Sequence, residues 1–124
     1  MPWPPLIGAP LPRADEAFGI TEKLAAYCLN LGHEIGAPKA QGFRRILGIE
    51  SADVEYLADV LQAGVLQASV TSVRDNAPFG VLCEVRIPVA GLNEHRNRMA
   101  TVPTSWELRQ PGEPPRLVTA CIDG

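Results

Sequence analysis

Apolar residues recur at intervals of three and four through the first half of the chain, and at every second position through the rest. Leu24, Tyr27, Cys28 and Leu31 share one helical face, which predicts a short first helix. Thr21 is its expected N-cap, Glu22 complements the dipole in its first turn, and it should end before Gly32. A tight loop, Gly32-His33-Glu34-Ile35-Gly36, follows. Pro38 suits the first turn of a second helix, whose apolar face is Ala40, Phe43, Ile46 and Leu47 and whose stop is Gly48. Ser51 should cap a third helix, with Asp53 and Glu55 in its first turn and Val54, Leu57, Val60 and Leu61 as its buried stripe. That helix fades over 64–67.

From Val70 the period becomes two. A first strand begins there, 75–78 reads as a turn, and 79–89 reads as a long strand. On it Val81, Cys83, Val85 and Ile87 take one face, Glu84 and Arg86 the other. A polar loop over 90–97 leads to a strand over 99–108 that Pro103 is expected to interrupt. A Pro/Gly turn over 110–115 precedes a last strand over 116–122. The order predicts an α+β domain: two to three N-terminal helices packed on one face of a roughly four-stranded antiparallel meander.

Composition changes this picture little. A chain of 124 residues, 46% apolar and 20% charged, makes one domain with a real core. The first 13 residues hold five of the twelve prolines, so 1–13 is expected to be an extended arm and 14–124 the domain. No basic start followed by an apolar run marks a signal peptide, and no stretch nears the ~18 apolar residues of a membrane span. A cytoplasmic protein without membrane contact is expected. Cys28, Cys83 and Cys121 are odd in number and far apart. Their spacing fits no zinc site, so they are read as reduced core residues. No metal or other cofactor is expected.

Charge is more informative. A net charge of −3 argues against a generic duplex binder. The basic residues are nevertheless segregated: Lys39, Arg44 and Arg45 lie close together, and Arg74, Arg86, Arg96, Arg98, Arg109 and Arg116 fall in the second half. Carboxylates gather elsewhere, at Asp15, Glu16, Glu22, Glu50, Asp53, Glu55 and Asp59. This favours one positive working face.

His33 is the leading candidate for chemistry, because its ordinary pKa of roughly 6.5 suits proton transfer near neutrality. Its plainer reading is a helix-end hydrogen bond. Lys39 sits near a helix N-terminus, against the dipole rule, which marks it either for an anion or as a solvated lysine. Thr104 and Trp106 lie in the run T-V-P-T-S-W, where hydroxyls can bond phosphate oxygens and an indole can stack a base. Both are also ordinary strand residues. Arg86 and Thr119 share a sheet surface with Thr104 in one pairing register. No phosphate-cradling glycine loop, dinucleotide fingerprint or G-x-S-x-G elbow is present.

The runs K-L-x-x-Y-x-L-N, H-x-x-G-x-x-K-A-x-x-F and L-G-I within 23–49, F-G at 79–80, T-x-W at 104–106 and R-L-V-T at 116–119 carry a family resemblance. Over residues 17–122 the chain resembles an uncharacterised bacterial domain family, found as free-standing proteins and as tails of secreted polymorphic toxins. That family's layout is similar to the ribonuclease toxins that include barnase, EndoU, colicin and RelE-type enzymes. The resemblance implies a metal-independent endoribonuclease of a toxin–antitoxin or toxin–immunity system. Its partners would be RNA, such as tRNA or mRNA, and a cognate antitoxin or immunity protein. It assigns His33 as base or acid, Lys39 and Arg86 to stabilise the phosphate, and Thr104 and Thr119 to orient it. Trp106, Arg44, Tyr27 and Arg116 would contact substrate. The alternative is a non-catalytic module that binds its partner through a sheet edge or the arm.

Overall fold

The helical half is wound differently from what its apolar spacing predicts. In the computed structural model, which describes residues 3–122, α1 (Ile20–Lys23) runs straight into a π-helical turn, Leu24–Cys28. The Leu29 N–H bonds the Leu24 carbonyl at 2.8 Å, and this wider turn carries Leu29 into the core in place of Leu31, which is exposed. Gly19, not Thr21, starts the helix. Its φ of 75° turns the chain out of an edge pairing in which Phe18 lies beside Arg116. Helix α2 (Ala37–Leu47) follows its prediction, buries Ala40, Phe43 and Leu47, and ends at Gly48. Glu50, rather than Ser51, caps the next element, exchanging capping-box bonds with Asp53 across the 3₁₀ turn Ser51–Asp53. Helix α3 (Val54–Gln67) continues from it and buries Leu57, Ala58, Leu61 and Val65.

Four antiparallel strands complete an α+β fold in the order β1-β2-β3-β4: β1 (Val70–Asp75), β2 (Val81–Ala90), β3 (Met99–Leu108) and β4 (Arg116–Ala120). On β2, Cys83, Val85, Ile87 and Val89 face the core while Arg86 is exposed on the opposite face. Helix α3 lies close on that core face, where a Cβ at Gly64 would fall 2.3 Å from Ile87 Cγ2.

Pro103 does not interrupt β3. It pairs opposite Arg86, and its carbonyl accepts from the Cys121 N–H at 3.2 Å, just past the end of β4. The side on which proline lacks an N–H is therefore the side where the neighbouring strand has run out.

Residues 8–10 of the arm run beside the start of β1. Val70 exchanges bonds of 2.8 Å with Gly8 and Ala9, and Leu11 is buried. The ends of the predicted arm (1–2) and of the predicted domain (123–124) lie outside the described residues. No disulfide forms among the described cysteines; Cys28 and Cys83 are core residues, whereas Cys121 is only half-buried. Burial raises both core thiols, Cys83 to about 11.

Candidate functional site

The π-helical turn sets the direction of Tyr27, and everything at the site is arranged around that ring. The loop carrying His33 folds back so tightly on Tyr27 that a Cβ at Gly36 would stand 2.2 Å from the Tyr27 carbonyl oxygen. Only glycine permits that approach. The imidazole of His33 then meets the phenol edge-on, with centroids 4.9 Å apart and planes at 86°. Two ammonium groups lie over the same ring, Lys23 from α1 and Lys39 from the first turn of α2, each 5.6 Å from its centroid. The place of Lys39 at a helix N-terminus thus has a local cause, since the quadrupole of Tyr27 attracts the charge that the dipole disfavours.

His33 holds its own loop. Its Nδ1 accepts from the N–H groups of Ile35 at 3.1 Å and Gly36 at 2.9 Å. This pattern occupies the Nδ1 lone pair and assigns the proton of the neutral ring to Nε2, which is left as a hydrogen-bond donor.

The cleft beside Tyr27 has a volume of about 650 Å³ and is lined as well by Phe18, Glu22 and Lys23 and, from β4, by Arg116. A second cavity of about 520 Å³ adjoins it and shares Phe18 and Arg116. The edge pairing fixes this partition. Phe18 N–H bonds Pro115 O and Leu117 N–H bonds Phe18 O, both at 3.1 Å, leaving the Phe18 ring 49% exposed beside Arg116. The floor of the second cavity includes Glu107, only 7% exposed. It accepts from Arg109 Nε at 2.9 Å and Arg116 Nη2 at 3.3 Å. Burial pushes this carboxyl up, but the two guanidiniums outweigh it and hold Glu107 below the ordinary carboxylate range. Arg109 also lies 5.3 Å from the Phe79 ring centroid.

Of the nine residues that the sequence singles out, four meet here: His33, Lys39, Tyr27 and Arg116. The others are elsewhere. Thr104 and Trp106 are fully buried, and the Trp106 indole donates to Thr104 Oγ1 at 2.7 Å while Thr104 donates to Val85 O at 2.6 Å. Both are core residues that face no ligand. Arg86 bonds Glu84 at 3.0 Å on the sheet face away from the helices, where Thr71 also donates to Glu84 at 2.7 Å. Arg44 pairs with Glu50 at 3.4 Å. The Thr119 hydroxyl is buried with no oxygen or nitrogen partner and lies against the Cys28 thiol, so it orients nothing in the cleft.

Phe18, Glu22 and Glu107 are site residues to which the sequence assigns no chemistry, and Lys23 enters there only as the first residue of the run K-L-x-x-Y-x-L-N. Lys23 was the accessible one: it lies four residues before Tyr27, on the same helical face. Among the described residues, no group of three or more His, Cys, Asp or Glu is placed to hold a metal ion, and no helix is long and apolar enough to cross a membrane.

The molecule is thus an α+β protein with a cationic, aromatic-walled cleft where its first helix meets the edge of its sheet. The chain belongs to the DUF6883 family, a domain of unknown function, whose match spans residues 10–123. No curated protein and no solved structure matches it.

Proposed function

We propose that this cleft binds single-stranded RNA and that the protein cleaves it as a metal-independent endoribonuclease of toxin type. The observation that carries this reading is the grouping of Lys23 and Lys39 over Tyr27, with Arg116 lining the same cleft and Phe18 exposed in it. Cations that track phosphates and aromatic faces that stack bases are the physical requirements of single-strand binding. In the proposed reaction the 2′-oxygen bonds to phosphorus as the bond to the 5′-oxygen breaks. Glu22 takes the 2′-hydroxyl proton, and a lysine ammonium gives one to the departing 5′-oxygen. Arg116 and the Nε2–H of His33 bond the phosphoryl oxygens, a role of charge stabilisation in place of the base or acid role that its residue type implies.

The test is cleavage of end-labelled single-stranded RNA in the presence of chelator, with the products examined for 2′,3′-cyclic phosphate ends. Lys23→Ala and Lys39→Ala should each slow cleavage on the order of 10²-fold. With three cations engaged, the log of the binding constant should fall against log salt with a slope of about −2. RNA that stays intact and unbound under all conditions would remove the proposal.

A second reading, a non-catalytic module for a cognate antitoxin or immunity protein, is favoured by one feature. Leu31 and Ile35 stand exposed on the loop that carries His33. Binding of such a partner without any RNA cleavage would select it.

A further inference from the structure

We infer that the second cavity is a base-recognition pocket that selects guanine in the RNA strand held by the first cleft. The inference rests on the RNA reading above and supplies what that reading leaves open, the identity of the base. Because the two cavities share Arg116 and Phe18, a phosphate bonded to Arg116 leaves its adjoining nucleoside at the mouth of the second cavity. The lobes also differ in charge. The first has Lys23 and Arg116 against Glu22, whereas the second balances Arg109 and Arg116 with Glu107 and Glu113. A phosphate is therefore drawn to the first lobe, and a neutral base is left for the second.

The exposed Phe18 ring offers a stacking face, but stacking accepts every base. Discrimination comes from Glu107. Its ionised carboxylate can only accept hydrogen bonds. Both arginines bond the same oxygen, Oε1, at 2.9 and 3.3 Å, and among the described residues no hydrogen bond is made to Oε2. Guanine alone among the RNA bases carries two adjacent donors, N1–H and the N2 amino group, on its pairing edge, and its O6 and N7 accept from a guanidinium such as Arg109. Adenine and cytosine would turn an acceptor nitrogen toward the carboxylate beside their single amino group. Uracil has one donor between two acceptors. At a carboxylate only 7% exposed those mismatches leave Glu107 facing a lone pair, which binding cannot tolerate cheaply.

Fluorescence anisotropy on labelled oligouridylates, each with one central G, A, C or inosine, tests this with the parent protein. The G oligomer should bind at least about tenfold more tightly than the A, C and all-U strands. Inosine, which lacks the N2 amino group, should fall between. Glu107→Gln should reduce the preference for G to less than about twofold, and the inosine series carries the same test if that variant does not fold. Equal affinity for all strands would overturn the base pocket while leaving the RNA reading intact. Failure to bind any strand would overturn both.

Discussion

A tryptophan N–H buried in an apolar core needs an acceptor, and in this protein the acceptor is a threonine two residues earlier on the same strand. The chain Trp106 Nε1–H to Thr104 Oγ1 to Val85 carbonyl satisfies both polar groups without water, which is why two polar side chains tolerate full burial. Thr104→Val keeps the shape but strands the indole, and it should cost about 1–3 kcal/mol in urea unfolding. Combined with Trp106→Phe, which itself leaves a cavity, the two changes should cost less together than the sum of their separate costs, because the orphaned donor goes with the indole; a cycle with no coupling would mean that the bond contributes nothing. The same pair shows where reading residues one at a time runs out. A hydroxyl and an indole at alternate positions look alike on an open face and on a covered one, and which face the helices cover is a long-range fact. His33 is a parallel case: its residue type was legible as a candidate for chemistry, but the two backbone N–H groups that occupy its Nδ1 come from a loop fold that spacing does not encode.

At the scale of elements, the π-helical turn and the loop after it act together. The turn inserts one residue per circuit, Leu29 replaces Leu31 in the core, and Tyr27 is left facing the cleft. Gly36 then seats the His33 loop on the backbone of Tyr27. Gly36→Ala would place a methyl 2.2 Å from the Tyr27 carbonyl oxygen, so the loop must retreat and the Lys39–Tyr27–His33 grouping with it. A loss of about 1–3 kcal/mol is expected. Gly32→Ala, in the same loop, meets only the Asn30 side-chain oxygen at 3.3 Å and should cost clearly less. Equal unfolding midpoints for the two variants would show that the close approach is not structurally demanding. The elements themselves were largely legible, since period-two runs such as Val81 to Val89 and stops such as Gly48 are local signals. The π-turn was not, because its apolar residues fit an ordinary helix equally well. Nor was the fate of Pro103, which depends on where β4 ends.

For the whole molecule, a net charge of −3 includes an edge where Lys23, Lys39 and Arg116 meet, but the segregation of charge along the chain does not carry over into space: Glu22, Glu107 and Glu113 line the same clefts, and Arg44 and Arg86 are paired elsewhere. Which basic residues meet was hidden, because it depends on the Phe18–Arg116 edge pairing and on a register shift between Ser105 and Trp106 in the β3–β4 ladder. The carboxylates among these arginines link the site to stability. Glu84 is held below the ordinary range by its bond from Thr71 and then by Arg86; Glu107 is held there by Arg109 and Arg116 against the upward push of burial. In the unfolded chain both titrate near about 4.3. Above that pH their native pairing contributes in full. As pH falls below it, the unfolded chain takes up protons first, and the contribution drains away until the lower native values are crossed. Urea unfolding from pH 7 down to pH 3 should therefore show stability falling below about pH 4.3. Glu107→Gln should be less stable than the parent at pH 7, since it leaves Arg109 and Arg116 without their shared charge, yet decline less steeply in acid because one of the two linked carboxyls is gone. If the variant and the parent decline in parallel, Glu107 does not hold its charge through those arginines, and the partition of the cleft into a phosphate lobe and a base lobe loses its electrostatic basis.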